Sequence, residues 1–294
     1  MLRWRPDGDL VRNVPDVRRI MPFLMRTRNE SIVFFEQKVH TEQAKRFLQD
    51  FREATGLRAT LLHLLIWASA RTLDARPRLN RFTAGGRIWQ RRGIWISFSA
   101  KKAKHDDAPI VVVKRRVDPA WSFEELVRHI EAGITDGRSD APSSTDKELK
   151  LLFLLPTFLL SWFVHLARWL DHHGLLPRAF LDGDPMFASM FIANLGSIDM
   201  QAGFHHLYEY GNIPIFMTVG RSELDPVIDE DGRVSARERM TLRYSFDERV
   251  EDGLYCARAL ELLKAMLEDP RGAGARFDGS TSDEAAAEPM DALA

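Results

Sequence analysis

The segment Tyr244-Ser-Phe-Asp-Glu-Arg-Val-Glu-Asp-Gly253 decides the fold of this 294-residue chain. It overlaps the end of a β-prone run, Arg239–Phe246, and leads into a helix predicted from about Leu254 to Leu267. That helix contains Cys256, the single cysteine of the chain. Burial as a small hydrophobic residue explains this cysteine better than a role as a thiol nucleophile. The segment is therefore a charged connection between a strand and a helix.

Composition places the chain among folded globular proteins, because 45% of its residues are apolar and 28% are charged. The 41 Lys and Arg nearly balance the 42 Asp and Glu, so a nucleic-acid partner is not expected. A single cysteine excludes an internal disulfide and is typical of a reducing compartment. The N-terminus lacks the apolar core of a signal peptide. We therefore expect a cytoplasmic location.

Periodicity and turn residues predict strands in both halves of the chain, with helices between them. The helix at Trp121–Ile134 begins with the capping-box pair Ser122 and Glu125. The stretch Gly86–Ala100 alternates in character around a glycine and predicts two strands that pair with each other. The other predicted strands are Ser31–His40, Pro109–Lys114, Met186–Leu195, Ile213–Gly220 and Arg239–Phe246, and the other predicted helices are Thr41–Ala54, closed by Gly56, and a buried Thr60–Leu73. This order predicts an α/β or α+β fold.

One domain over residues 1–271 is the simplest organisation of the chain, with an apolar helical insertion at about residues 148–175. From Gly272 onward the sequence becomes acidic and rich in alanine. This tail, residues 272–294, has too little apolar surface to offset the entropy of ordering, so we expect it to be disordered.

Four segments, in the same order along the chain, resemble the catalytic domain of the dihydrolipoamide acyltransferases of 2-oxoacid dehydrogenases. Val17–Met21 resembles its opening helix, and Ala75–Phe82 resembles its "RP-x-LN" turn. Ile192–Gly196 resembles its "ISNLG" segment, and Tyr244–Gly253 resembles its "S-x-DHRVxDG" signature. The resemblance implies the chloramphenicol acetyltransferase-like fold, which is α/β with two layers and a mixed sheet. It also implies a homotrimer with active sites between subunits, a coenzyme A thioester as acyl donor, and no metal.

Glu248 stands where the family has its catalytic histidine. In the family this histidine deprotonates the thiol of CoA or dihydrolipoamide. A thiol with a pKa near 8.5 transfers its proton less readily to a carboxylate at about 4.3 than to an imidazole at about 6.5, which adds about 3 kcal/mol. Two interpretations follow: Glu248 is a base in a desolvated setting, or it forms a salt bridge with Arg249 or an arginine of the opening helix.

The resemblance assigns further roles around the signature. Asn194 is retained near the expected oxyanion, and Ala193 replaces a hydroxyl residue. Asp252 and Gly253 match the end of the signature, and the family's aspartate there is chiefly structural. We expect Asp252 to pair with an arginine of the opening helix, and the candidates are Arg18, Arg19 and Arg26.

Two other groups offer chemistry. One of His205 and His206 could replace the missing base, although both are also explained as packing or surface residues. Neighbouring residues on a strand point to opposite faces, so at most one of them should enter a site. Lys101 and Lys102 could meet a phosphate of CoA, or they form an ordinary solvated charge run. The histidine pair at residues 172–173 lacks further metal ligands at the spacing of a zinc site.

The run Leu151–Ala167 is uncharged, and ordinary family members have no such segment. Strands of one sheet lie on both sides of it, so we expect it not to span a membrane. It is predicted to form a helix, or a pair of helices interrupted near Pro156. Packing on protein, a subunit contact and attachment to a membrane surface remain as alternatives.

Three functions are compatible with these patterns. The first is a CoA-dependent acyltransferase, with catalysis weakened or altered by Glu248. The second is a non-catalytic trimeric scaffold or binding module, and the third is lipid acyl transfer at a membrane. We expect no lipoyl domain, because the sequence has no lysine-bearing swinging-arm segment, and this argues against an ordinary place in a 2-oxoacid dehydrogenase complex.

Overall fold

The computed structural model describes residues 4–101, 110–138 and 156–277. The strands are β1 Gly8–Leu10, β2 Ile32–His40, β3 Arg81–Ala84, β4 Arg87–Arg91, β5 Ile94–Lys101, β6 Ile110–Val117, β7 Met190–Asn194, β8 Ile215–Ile228 and β9 Val234–Asp247. The helices are α1 Asp16–Leu24, α2 Glu42–Thr55, α3 Leu61–Ala75, α4 Phe123–Arg138, α5 Thr157–His173, α6 Arg178–Gly183 and α7 Gly253–Glu268.

A six-stranded mixed sheet with the order β2-β9-β8-β7-β5-β6 forms the centre of the molecule. The pairs β5–β7 and β7–β8 are parallel, and the remaining pairs are antiparallel. Side chains from α2, α3, α4 and α7 pack on one face of this sheet and form the main core. The predicted mixed α/β fold is confirmed.

The other face of the sheet carries a smaller cluster, because alternate residues of a strand point to opposite faces. Ile192 belongs to the main core, whereas its neighbours Phe191 and Ala193 belong to this outer-face cluster. The remaining buried members are Ala188, Leu207, Ile213 and Phe216. The loop between β7 and β8 therefore lies over the outer face and supplies part of its cover.

The α3 helix is the most deeply buried helix segment that the sequence predicted. Its N-terminus is closed by a capping box, in which Thr60 and His63 satisfy each other's backbone groups. Burial lowers the pKa of His63 to about 4. The predicted closure of α2 at Gly56, with φ of 70°, and the capping box of Ser122 before α4 are also confirmed.

The predicted pairing within Gly86–Ala100 is wrong. The strand β4 pairs with β3 across the turn Gly85-Gly86, and with β1, in a separate three-stranded sheet. The strand β5 belongs to the six-stranded sheet instead. Gly93, with φ of 74°, redirects the chain between the two sheets. Alternation identified both strands, but it carries no information about their partners.

The C-terminal region differs from prediction at two places. Strands β8 and β9 extend beyond the predicted limits at Gly220 and Arg239 into a long exposed hairpin. The expected tail begins later than residue 272, because Ala275 and Phe277 are buried in the main core. The ring of Phe277 lies 5.7 Å from that of Phe47. Residues 278–294 lie outside the described residues.

The predicted apolar insertion forms α5, which begins directly after Pro156. Residues 151–155 of the predicted segment lie outside the described residues. Ala167 is the one buried residue of this helix. A buried ion pair of 2.6 Å between Arg5 and Asp171 fixes its C-terminal end to the domain. The described helices include none that is long and apolar enough to cross a membrane.

Candidate functional site

The turn after β9 is held by a buried ion pair between neighbours in the signature. Arg249 donates two parallel hydrogen bonds to Asp247, from Nε to Oδ1 at 2.8 Å and from Nη2 to Oδ2 at 2.7 Å. Its Nη1 donates to the carbonyl of Met25 at 3.2 Å. Ser31 Oγ donates to Asp247 Oδ1 at 3.1 Å. These bonds compensate the cost of burying both charges and fix the turn against the end of α1.

Glu248 is fixed through its main chain while its side chain stays free. Its amide donates to the carbonyl of Ser31 at 2.9 Å, and its own carbonyl accepts from Arg18 Nη1 at 2.6 Å. The side chain is half-buried, and no residue of the described part of the chain forms an ion pair or hydrogen bond with it. The salt bridge considered between Glu248 and Arg249 is therefore absent, because Arg249 is bound to Asp247.

Asp252 does not form the pair that was expected with an arginine of α1. It is exposed at the N-terminus of α7, which begins at Gly253, and its Oδ1 accepts from the amide of Tyr255 at 2.9 Å. That hydrogen bond lowers the pKa of Asp252. Arg19 instead forms an exposed ion pair with Asp16 at 3.1 Å. The carboxylate that holds the signature turn through a buried ion pair with Arg249 is Asp247.

Asn194 lies at the opposite end of the sheet from Glu248. It ends β7 and is in register with Val219 of β8, which is in register with Leu242 of β9. Leu242 precedes Glu248 by six residues, and at about 3.3 Å per residue this is a separation of about 20 Å. One copy of the chain therefore does not bring Glu248 and Asn194 together.

One of the two lysine candidates, Lys101, belongs to the Asn194 end of the sheet. Ser99 of β5 is in register with Ala193 of β7, and the strands are parallel, so Lys101 ends β5 at the same edge as Asn194. Lys102 lies outside the described residues.

His205 and His206 do not point to opposite faces, which corrects the expectation from strand geometry. They lie in an irregular loop, and their rings continue a stack that starts on the outer face of the sheet. The ring centroids of Phe191 and Phe216 are 4.7 Å apart, those of Phe216 and His205 are 3.8 Å apart, and those of the two histidines are 4.7 Å apart. The loop conformation places both imidazoles on one side.

The hydrogen bonds of this pair define its tautomers. His205 Nδ1 lies 2.6 Å from the carbonyl oxygen of His206, and a carbonyl can only accept, so Nδ1 carries the hydrogen. In the neutral ring the lone pair is then on Nε2. Burial lowers the pKa of His205, which favours this neutral form. Ser245 Oγ donates to the His205 carbonyl, and Ser245 precedes Glu248 by three residues, or about 10 Å of strand.

Cys256 is buried in the main core, as expected from its place in the helix. Burial raises the pKa of its thiol well above the usual value, so it is poorly suited to be a nucleophile.

A group of arginines beside the signature is a feature that the sequence reasoning missed. Arg78 Nε and Arg81 Nη1 each lie 3.4 Å from the buried carboxylate of Glu251. The guanidinium carbons of Arg76 and Arg78 lie 4.3 Å and 4.0 Å from the centroid of the Tyr255 ring. The signal was the close spacing of three arginines in residues 76–81, within the "RP-x-LN" segment.

Comparison with protein families places the C-terminal part of the chain. Residues 185–274 match the family model of the 2-oxoacid dehydrogenases acyltransferase catalytic domain. This range contains Asn194, both loop histidines and the whole signature. No curated protein sequence matches the chain significantly.

Solved structures cover nearly the whole chain. The cubic core of the pyruvate dehydrogenase multienzyme complex is 17% identical, covering 90% of this chain and 93% of that one, with a TM-score of 0.56. Dihydrolipoamide acetyltransferase from Azotobacter vinelandii is 18% identical, with coverage of 90% and 93% and a TM-score of 0.56. A chloramphenicol acetyltransferase is 12% identical, with coverage of 89% and 98% and a TM-score of 0.50.

The chain therefore has the chloramphenicol acetyltransferase-like fold over most of its length, and residues 185–274 are acyltransferase-like in sequence. The resemblance that the four motifs suggested, to the catalytic domain of 2-oxoacid dehydrogenase acyltransferases, is confirmed.

Proposed function

We propose that this protein transfers an acyl group from a CoA thioester in sites formed between copies of the chain. Each site would take Glu248 from one copy and Asn194 from the next. The observation that carries the proposal is the position of these residues at opposite ends of one sheet, about 20 Å apart. A cyclic assembly of copies brings opposite ends of neighbours together. The similarity to a cubic multienzyme core supports self-association, and we propose that the assembly is a homotrimer.

In this reaction Glu248 removes the proton from the acceptor's thiol or hydroxyl as that group attacks the thioester carbonyl. The side-chain amide of Asn194 donates a hydrogen bond to the oxyanion of the tetrahedral intermediate. The intermediate then collapses, the carbon–sulfur bond breaks, and the CoA thiolate takes the proton from Glu248. The free carboxylate of Glu248, on a turn held by Arg249 and Asp247, supports its role as the base.

The Azotobacter vinelandii structure also supports a place for Asp252 in the proposed site. That structure was used to investigate the roles of a serine, a histidine and an asparagine in catalysis, and the asparagine stands four positions after the histidine. In this chain Glu248 and Asp252 have the same spacing. Both positions carry carboxylates here, which favours altered rather than ordinary family catalysis.

His205 is the alternative base. Its Nε2 carries the lone pair of the neutral ring, and its lowered pKa keeps that form at neutral pH. The two candidates are separated by Glu248→Gln and His205→Gln, each measured with a panel of acyl-CoA thioesters. Loss of transfer in the first variant and retention in the second supports Glu248, and the reverse result supports His205.

The shared site is tested by mixing two impaired variants, Glu248→Gln and Asn194→Ala, through co-expression with different tags. A cyclic trimer with random mixing regenerates one intact site in every mixed assembly, so we expect about a quarter of wild-type activity. A site contained in one chain gives no recovery. Sedimentation of each variant alone serves as the control for assembly.

If the protein transfers no acyl group, the non-catalytic scaffold is the remaining function. No transfer with wild type or with Glu248→His, with the trimer intact, would contradict the enzyme proposal. Recovery or an increase of turnover in Glu248→His would support it, because the histidine restores the base of the family.

Membrane-surface attachment is a second candidate property, and the outer side of α5 supports it. Phe158, Trp162 and Trp169 are 70%, 62% and 53% exposed, and they lie along one stripe of the helix together with His165. Aromatic side chains of this kind are typical of the membrane interface. Co-sedimentation with phosphatidylcholine and phosphatidylglycerol vesicles tests this, with Trp162→Ser as the variant expected to bind less.

A further inference from the structure

Four guanidinium groups converge beside the signature turn. Arg76 follows the end of α3, Arg78 lies in the next turn, Arg81 begins β3, and Arg18 comes from α1. Arg18 reaches the cluster because its Nη1 is bound to the carbonyl of Glu248. Burial, and the nearby guanidiniums of Arg78 and Arg18, lower the pKa of Arg81. The cluster therefore contains a concentration of positive charge next to the proposed base.

The carboxylates around this cluster do not neutralise it fully. Glu251 is shared between Arg78 and Arg81 at 3.4 Å from each, which is long for a strong ion pair. Within the described ranges, Arg18 and Arg76 have no carboxylate within 4.0 Å. The other nearby acids are Asp252, whose Oδ1 caps α7, and Glu248, whose carbonyl binds Arg18.

Arg76 has hydrogen-bonding capacity that the protein does not use. Its Nε is buried and has no partner among the described residues. Its guanidinium is positioned against the face of Tyr255, whose other neighbour is the guanidinium of Arg78. Stacking on an aromatic ring holds a guanidinium plane in place, while its edge stays available to a planar or tetrahedral anion.

We propose that Arg76 and Arg78, with Arg18 and Arg81 beside them, bind a phosphate group of the substrate. Arginine forks match phosphate oxygens in pairs, and the N-terminus of α7 adds positive polarity on the same side. The proposal rests on the proposed function in that it takes the phosphate to be part of the CoA donor. It does not involve Lys101, which ends β5 at the Asn194 edge of the sheet and would come to the shared site from the neighbouring copy.

Calorimetric binding of CoA, dephospho-CoA, pantetheine and inorganic phosphate tests the site without requiring turnover. We expect CoA to bind more tightly than pantetheine, and Arg76→Gln to weaken CoA about tenfold while pantetheine is unchanged. Arg76→Lys should recover part of the loss, because it keeps the charge but not the fork. Dephospho-CoA distinguishes the 3′-phosphate from the diphosphate as the bound group, and competition by inorganic phosphate is expected in either case.

Arg271→Gln is the matched control, because Arg271 is exposed, pairs with Asp50 at 2.7 Å and lies on a separate surface segment. It should leave CoA binding unchanged. Equal affinity of Arg76→Gln and wild type for CoA, with the same melting temperature, would overturn the proposal. Tight, Arg76-dependent CoA binding without any transfer would sustain the phosphate site and count against the proposed acyltransferase function instead.

Discussion

The helices α3 and α5 are both apolar and of similar length, yet α3 is largely buried and α5 is largely exposed. In α3, ten of fifteen residues are buried, including the run from Leu64 to Ala70. In α5, Ala167 alone is buried, and four large aromatic side chains are exposed. Both carry histidines, but His63 is buried in α3, whereas His165 is exposed in α5.

Apolar composition therefore indicates that a helix tends to leave water. It does not show which part of the molecule, or which partner, will bury it. The main core covers α3 from both the sheet and the neighbouring helices. The domain holds α5 at its C-terminal end through Asp171 and leaves its outer side uncovered. Large exposed apolar patches on folded proteins mark contact surfaces.

The strongest test of the α3 side is Leu65→Ala. Leu65 is fully buried in the main core, so the substitution removes apolar contacts and leaves a cavity. We expect the free energy of unfolding to fall by about 4 kcal/mol. Urea denaturation followed by circular dichroism measures it. A loss below about 1 kcal/mol would contradict tight packing of Leu65 in the main core.

The attachment of α5 is tested by Asp171→Ala. Arg5 is almost completely buried and would keep Asp7 as its only carboxylate partner, so we expect a loss of about 3 kcal/mol in unfolding free energy. Hydrogen exchange should rise first in α5. The matched control is Asp182→Ala, which breaks an exposed pair with Arg178 and should cost less than about 1 kcal/mol. Similar losses in both variants would argue against a specific attachment.

The buried histidine of α3 predicts a pH effect. The folded-state pKa of His63 is lowered to about 4, so the unfolded chain binds its proton first as the pH falls. Stability from this group is present above about pH 6.5 and is lost as the pH falls toward 4. From about pH 7 to about pH 5 the loss should be about 2 kcal/mol.

The control for this effect is His63→Gln, which keeps a side chain able to complete the capping box with Thr60. The difference between wild type and this variant, measured by thermal unfolding across the pH range, isolates His63. Its Nε2 lies 3.3 Å from the half-exposed carboxylate of Glu131, which would favour the charged ring. An equal pH dependence in both proteins would show that this contact cancels the cost of burial.

The sequence predicted the positions of helices and strands better than it predicted which strands and side chains pair with each other. Periodicity located α2, α3 and the strands around the signature, and the capping pair located the start of α4. It could not predict that β4 and β5 belong to different sheets, because pairing depends on the backbone turn at Gly93. The same limit applies to Asp252, since partner choice among the acids of one turn is decided by which carboxylate faces inward.

The sequence predicted only part of the candidate site, because it does not show which residues become neighbours in the folded chain. The motif identified Glu248 and Asn194 as the residues of interest, and register then placed them at opposite ends of the sheet. The stacked histidines were misjudged because the loop that holds them has no regular strand geometry. The arginine cluster needed the packing of α7 against the turn after α3, which spacing alone does not reveal.

The smallest expected change in stability comes from Trp162→Ser on the outer side of α5. Trp162 is 62% exposed, so in the free protein its replacement removes few contacts, and we expect a change within about 0.5 kcal/mol. Leu65→Ala, on the buried helix, provides the opposite case. A loss of more than about 2 kcal/mol in Trp162→Ser would mean that this side is already covered, by another copy of the chain, and a lower assembly mass would then accompany it. An unchanged stability together with an unchanged mass leaves the outer side of α5 open in the assembled protein, where a membrane surface can reach it.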